Sequence, residues 1–181
     1  RDGNARPLHR VGELGLRPPG YGITTLEAAL ALAIGKGWMT GEESPVRSVD
    51  IVQNDSGYVA TVVMFAPVAP GIAWNVLTDF DNMHKWVPNV RESKIATRDG
   101  NTLTVEQKGV AKFGILSFPY ESARRMELDP QKTILSTQIA GSMRRLVSLM
   151  KVSPDGDGTR LDYKLEMEPS GVAAAVMSKK F

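Results

Sequence analysis

Three residues in one short stretch have side chains fit for proton transfer. "TDFDNMHKWVP", residues 78–88, holds Asp79, Asp81 and His84 beside Phe80, Trp86 and Val87. Acid–base catalysis needs a donor or acceptor inside a water-poor site that tunes its pKa. Each of the three polar residues also has a purely structural use. Asp79 precedes a short helix, where a carboxylate caps free N–H groups. Asp81 falls in its first turn and suits the helix dipole, and His84 falls near its end, where a cation is favoured. Helix position thus accounts for the stretch, and His84 is left as a weak catalytic candidate. Two others, Tyr120 and Arg124, stand on a strand. Alternation there puts Phe118, Tyr120, Ser122, Arg124, Met126 and Leu128 on one face. If that face is internal, the Arg124 guanidinium is able to hold a carboxylate or phosphate head group. A one-residue slip or a bulge would turn it to solvent or to an internal acid instead.

Other chemistries find no support. The chain has no cysteine, which removes thiolates, disulfides and Cys-ligated metals. His9 and His84 are its only histidines and lie far apart, so a His-based metal site is not expected. There is no G-x-S-x-G elbow and no P-loop, and "GELGLRPPGYG" lacks dinucleotide-loop spacing. "DGDGTRLDYKLE" (155–166) sets Asp155, Asp157, Thr159 and Glu166 at calcium-loop positions. Arg160, however, stands where the sharp turn needs glycine, so a Gly-rich hairpin is the reading. "NDS" (54–56) is a formal glycosylation sequon in an ordinary turn. No metal and no cofactor are expected. A net charge of +2, with the pairs Arg124-Arg125 and Arg144-Arg145 too short to make a basic patch, argues against a nucleic-acid surface. No apolar run approaches the ~20 residues that cross a bilayer, so no transmembrane segment is expected.

The elements that position these residues follow from periodicity. At 181 residues the chain is long enough to bury a core. Residues 1–23, rich in Gly, Pro and Arg, read as an irregular arm. "TTLEAALALAIGKG" then carries a Thr24/Glu27 capping box and reads as a packed helix over 24–34 rather than a secretory h-region. We therefore divide the chain into an N-terminal arm with a short helix (1–45) and a domain (46–181). "VRSVDIV", the turn "NDSG" and "YVATVVMFA" make a hairpin. Pro70 suits the first turn of a helix whose apolar stripe is Ile72, Val76 and Phe80, with Ala73 and Leu77 beside it. Pro88 closes a second short helix. A strand series follows. Asp99-Gly100 turns into "NTLTVEQKGV", where Leu103 and Val105 alternate with Thr102, Thr104, Glu106 and Lys108. "LSFPYESARRMEL", "TILSTQIA", "MRRLVSLMKV" and "RLDYKLEME" come next, the last alternating Leu161, Tyr163, Leu165 and Met167 with charges. Pro169 ends the strands, and "SGVAAAVMSKKF" reads as a helix. The sum is an α+β domain whose meander is able to curl round its last helix.

"APVAPGIAWNVLTDFDNMHKWVPNV" resembles the opening of the START/polyketide cyclase-dehydrase superfamily (SRPBCC, the helix-grip fold). There an "A-P" ends the first strand, one helix carries "W-x-V-L-T-D-F" and a second ends in "W-x-P-x-V". "RDGNTLTVEQKGVAKFGILSFPYES" is similar to the next hairpin of a bacterial cyclase/dehydrase-and-lipid-transport subgroup near the coenzyme Q-binding branch. The resemblance covers about residues 46–170. It implies a seven-stranded antiparallel sheet gripping the C-terminal helix, two short helices after the first strand, and an apolar cavity between sheet and helix. Relatives bind lipids, sterols, quinones or polyketides, and a minority cyclise or dehydrate them. Many look exported, which gives the expectation of a periplasmic or secreted protein, with a cytoplasmic one as the alternative.

With that fold, Phe80, Trp86, Val87, Leu103, Val105, Phe113, Phe118, Met126, Met150, Tyr163 and Met167 are expected to line the cavity. Tyr120 or Arg124 would be the polar anchor. Aromatics and methionines are also simply core residues, although flexible thioethers suit variable apolar ligands. Binding or transport of a hydrophobic small molecule without catalysis is the preferred function. A cyclase, aromatase or dehydratase using Arg124, Tyr120 or His84 is the alternative. A third reading, prompted by the unmatched residues 1–45, is an envelope protein working through a partner. Only twelve residues follow Pro169. The family's last helix is longer, so the expectation is either a truncated chain or completion of the helix by residues 24–34 or by a second subunit. A homodimer through the arm or the C-terminal helix is one form of it.

Overall fold

Alternating apolar residues decide this architecture. The computed structural model describes residues 6–10, 46–87, 90–113 and 116–171. Nine strands are β1 (Arg6–Arg10), β2 (Val46–Gln53), β3 (Tyr58–Ala66), β4 (Val90–Asp99), β5 (Thr102–Phe113), β6 (Leu116–Asp129), β7 (Thr133–Gly141), β8 (Arg145–Asp155) and β9 (Gly158–Glu168). They form one sheet in the order β1-β2-β3-β9-β8-β7-β6-β5-β4. All neighbours are antiparallel. From β4 to β9 the chain is an unbroken meander, and β3 pairs with its last strand. Helix α1 (Pro70–Leu77) and a 3₁₀ helix (Phe80–Lys85) carry the chain from β3 to the far edge at β4.

Among the described residues the sheet is open and antiparallel with few helices, consistent with the helix-grip fold, but it has nine strands rather than the expected seven. β3 to β9 are those seven. The expected hairpin partner of β3 adds β2 on its outer side. β1 adds another from the arm read as irregular, Arg6 and Pro7 lying opposite Gln53 and Val52. An exposed β2 edge offers unpaired N–H and C=O groups that another segment satisfies. Proline is tolerated in such a segment because β1 is itself an edge strand. The expected helices over 24–34 and after Pro169 lie outside the described residues.

Val62, Met64 and Ala66 of β3 pack with Leu103 and Val105 of β5, and with Met126, Ile134, Met150, Val152 and Leu161 of the following strands. Trp74 and Phe80 come onto this core from the two helices. Each such side chain contributes roughly 1.5–3 kcal/mol on burial.

The expected helical stripe is corrected. Ile72 is 54% exposed, and α1 buries Ala73 and Trp74 instead. The cause is length. The helix stops after Leu77, where the Thr78 N–H and hydroxyl both donate to the Trp74 carbonyl. Phe80 is buried from the separate 3₁₀ helix, so it shares no phase with Ile72 and Val76. Pro70 does open α1, as expected. The β4–β5 turn sits one residue later than Asp99-Gly100, on Gly100 and Asn101, with Gly100 at φ 55°. Residues 155–158 form the β8–β9 turn with Gly156 at φ 59°, a hairpin as read from the sequence.

Candidate binding site

The strand period turns Arg124 inward. It lies opposite Val105 on β5 and Gln138 on β7, two places from buried Met126. An inward guanidinium needs partners, and those found are neutral. Its Nη2 donates to the Gln107 side-chain oxygen. The Gln107 amide in turn donates to Ser93 Oγ at 3.1 Å and lies 3.1 Å from Met83 Sδ. Ser93 Oγ donates to the Phe80 carbonyl at 2.6 Å. A chain of polar contacts thus runs from β6 across β5 and β4 to the 3₁₀ helix.

Tyrosines flank the cation on either side in sequence. Tyr120 precedes it on β6. Tyr163 on β9 lies opposite Val62 and Met150 and is hydrogen-bonded with Ser148 of β8. Burial pushes both phenols above their ordinary pKa, with Arg124 opposing the shift, so both stay protonated donors. Burial also lowers the Arg124 pKa, while Tyr163 and Tyr120 act the other way. Ser136 and Ser148, directly opposite each other on β7 and β8, are buried as well. Among the described residues, no carboxylate is within ion-pair distance of Arg124. Its Nε is buried and has no hydrogen-bond partner among the described residues.

Arg124 and Tyr163 are both half-buried.

Of the other residues expected at the site, Phe80, Val87, Leu103, Val105, Met126 and Met150 are buried in the same core. Met167 is half-buried at the far end of β9, opposite Tyr58 and Leu146. Trp86 is half-buried, and its indole N–H is buried without a partner. Phe113 and Phe118 stand in β5 and β6, with side chains outside the described residues. The proton-transfer set does not assemble. Asp79 occupies the N-cap position of the 3₁₀ helix but makes no side-chain cap; its carboxylate accepts from Asn82 Nδ2 at 2.8 Å. That corrects the expected capping role. Asp81, in the first turn as expected, also accepts the Ile95 N–H of β4 at 2.7 Å. His84 is exposed in the last turn. Gln107, Ser93, Ser136 and Ser148 escaped the sequence reading. Gln107 continues the inward alternation of Leu103 and Val105, so its place was legible in principle.

With this geometry in hand, comparison with known proteins is informative. Residues 58–181 match the family profile described as "Polyketide cyclase / dehydrase and lipid transport". No curated protein sequence matches the chain. Among solved structures, it is similar to a START superfamily protein from Mycobacterium smegmatis. Identity there is 16% and the TM-score 0.56, over 68% of this chain and 86% of that one. A STAR-related lipid transfer protein from Xanthomonas axonopodis is similar at 13% identity and TM-score 0.59, over 77% and 87% of the two chains. The Zhui aromatase/cyclase from a Streptomyces species is similar at 13% identity and TM-score 0.52, over 62% and 70%. At these identities the likeness is one of fold.

Proposed function

This chain belongs to the polyketide cyclase / dehydrase and lipid transport family, and from that premise we propose that it binds and carries a hydrophobic small molecule. The ligand lies against the inner face of the sheet, its apolar body on the half-buried Leu146, Leu165 and Met167 and its polar end toward Arg124. The observation that carries this reading is Arg124 turned onto the core side of the sheet, opposite buried Val105, with neutral Gln107 as its partner and no carboxylate at ion-pair distance among the described residues. A well-packed core has no reason to keep a cation there, because burying a charge without an opposite charge is costly. The methionines suit an apolar ligand of variable shape. Native mass spectrometry of the purified protein after exposure to a lipid extract tests the reading. A retained apolar molecule is expected; a protein that takes up none refutes it.

A second reading, a cyclase or dehydratase, draws on the same cluster. A guanidinium with two protonated phenols is able to polarise a carbonyl and donate protons. Proton abstraction also needs a base, and Asp79, Asp81 and His84 are engaged or exposed elsewhere. Binding without turnover is therefore preferred. Turnover of a poly-β-keto substrate that is abolished by Arg124→Ala would reverse that preference.

A further inference from the structure

The charge balance of the site goes further than "hydrophobic ligand". Every partner found for Arg124 is neutral: the Gln107 amide as acceptor, with Tyr120 and Tyr163 as the groups that influence it. Its Nε–H is buried and finds no acceptor among the described residues. The nearby buried residues Gln107, Ser93, Ser136 and Ser148 carry no charge. Among the described residues the site therefore holds one positive charge, one idle donor on that charge, and phenol hydroxyls able to donate. An arginine places its donors in a fork that matches a planar oxyanion. A carboxylate supplies one negative charge and two acceptor oxygens, which neutralises the site. A phosphate monoester brings ≈ −1.5 to −2 at neutral pH, leaving excess negative charge where water is scarce. An alcohol or ester leaves the cation unbalanced.

Resting on the proposed binding function, we infer that the ligand is an apolar monocarboxylic acid, bound as its carboxylate, with Arg124 as the recognition residue. Tyr163 and Tyr120 stand as additional donors to the same oxyanion. The half-buried Leu146, Leu165 and Met167, on the same sheet face as Tyr163, take the apolar body.

Three probes with one chain length separate the possibilities: laurate, dodecanol and dodecyl phosphate. Each is titrated calorimetrically into the delipidated full chain at neutral pH, below its aggregation concentration. Laurate is expected to bind at least tenfold more tightly than either of the others. Arg124→Met is expected to weaken laurate at least tenfold while leaving dodecanol within about twofold, which erases the preference. Equal binding of laurate and dodecanol by the unmodified protein overturns the inference but leaves the apolar-ligand function standing. A preference for dodecyl phosphate likewise overturns it, through the charge argument. If none of the three binds, the function itself falls and the inference with it. The comparison among probes uses the unmodified protein, so it decides the matter even if the variant does not fold.

Discussion

Replacing Gln107 by leucine probes the polar chain at its centre. Gln107 is 3% exposed, accepts from Arg124 and donates to Ser93. Leucine keeps a similar volume and removes both contacts. Loss of a hydrogen bond to a charged group costs about 1.5–3 kcal/mol, and loss of a neutral one about 0.5–1.5 kcal/mol. The apolar atoms gained on burial return about 1 kcal/mol. The net expectation is a destabilisation of roughly 2 kcal/mol. The same change in an Arg124→Met background should behave differently. There the cation is already gone, and only the Ser93 contact is lost against the gain from leucine. The cost shrinks to about zero, within about 0.5 kcal/mol either way, which gives a coupling of roughly 1.5–3 kcal/mol in a double-mutant cycle. Arg124→Met alone is expected to leave the ligand-free protein as stable as before or more so, because removing a buried charge relieves its desolvation. Urea unfolding of the four proteins, followed by tryptophan fluorescence and far-ultraviolet dichroism, measures all three quantities. Coupling below about 0.5 kcal/mol, the ordinary limit of additivity for independent sites, would refute the claim that Gln107 supports the cation.

Other outcomes follow from the same packing and charges. Leu161→Ala empties a fully buried position opposite Met64 and Val152, and is expected to cost about 2–5 kcal/mol in urea unfolding. The cross-strand Lys94–Glu106 pair at 2.9 Å is solvent-exposed, so Lys94→Ala is expected to leave stability in urea unfolding almost unchanged. Burial raises the Tyr163 and Tyr120 pKa values above the unfolded phenol value. Their contribution is therefore whole below about pH 10 and is lost as pH rises through the folded values. Tyr163→Phe should flatten that alkaline decline in thermal unfolding; an unchanged slope would count against a buried phenol.

The strands were legible because their period is local. In β9, Leu161, Tyr163, Leu165 and Met167 alternate with charges in sequence, and that alternation is the fold's inner and outer face. The same rule put Arg124 on one face with Tyr120 and Met126, and left open whether a slip or bulge would turn it outward. Turn chemistry was nearly as local, and missed the β4–β5 turn by one residue. Residues 70–80 were less so. Their apolar spacing fits a single helical stripe, but two turns are too few to carry the phase to Phe80, and contact with the sheet chose Trp74 and Ala73 over Ile72. Pairing of Arg6–Arg10 with β2 was not legible, because an edge strand is recruited by backbone groups that carry no side-chain signature.

By itself, then, the amino-acid sequence determined which residues face inward along each strand, where the chain turns, and the family resemblance carried by residues 66–90. The tertiary structure alone decided what meets Arg124 once it faces inward. Its Gln107 partner lies on another strand, Tyr163 on a third, and the acid that would have made it an ordinary ion pair is not among the described residues beside it. Periodicity is a property of a few consecutive residues. The balance of a buried charge is set by groups many residues apart, brought together only when the sheet closes over them.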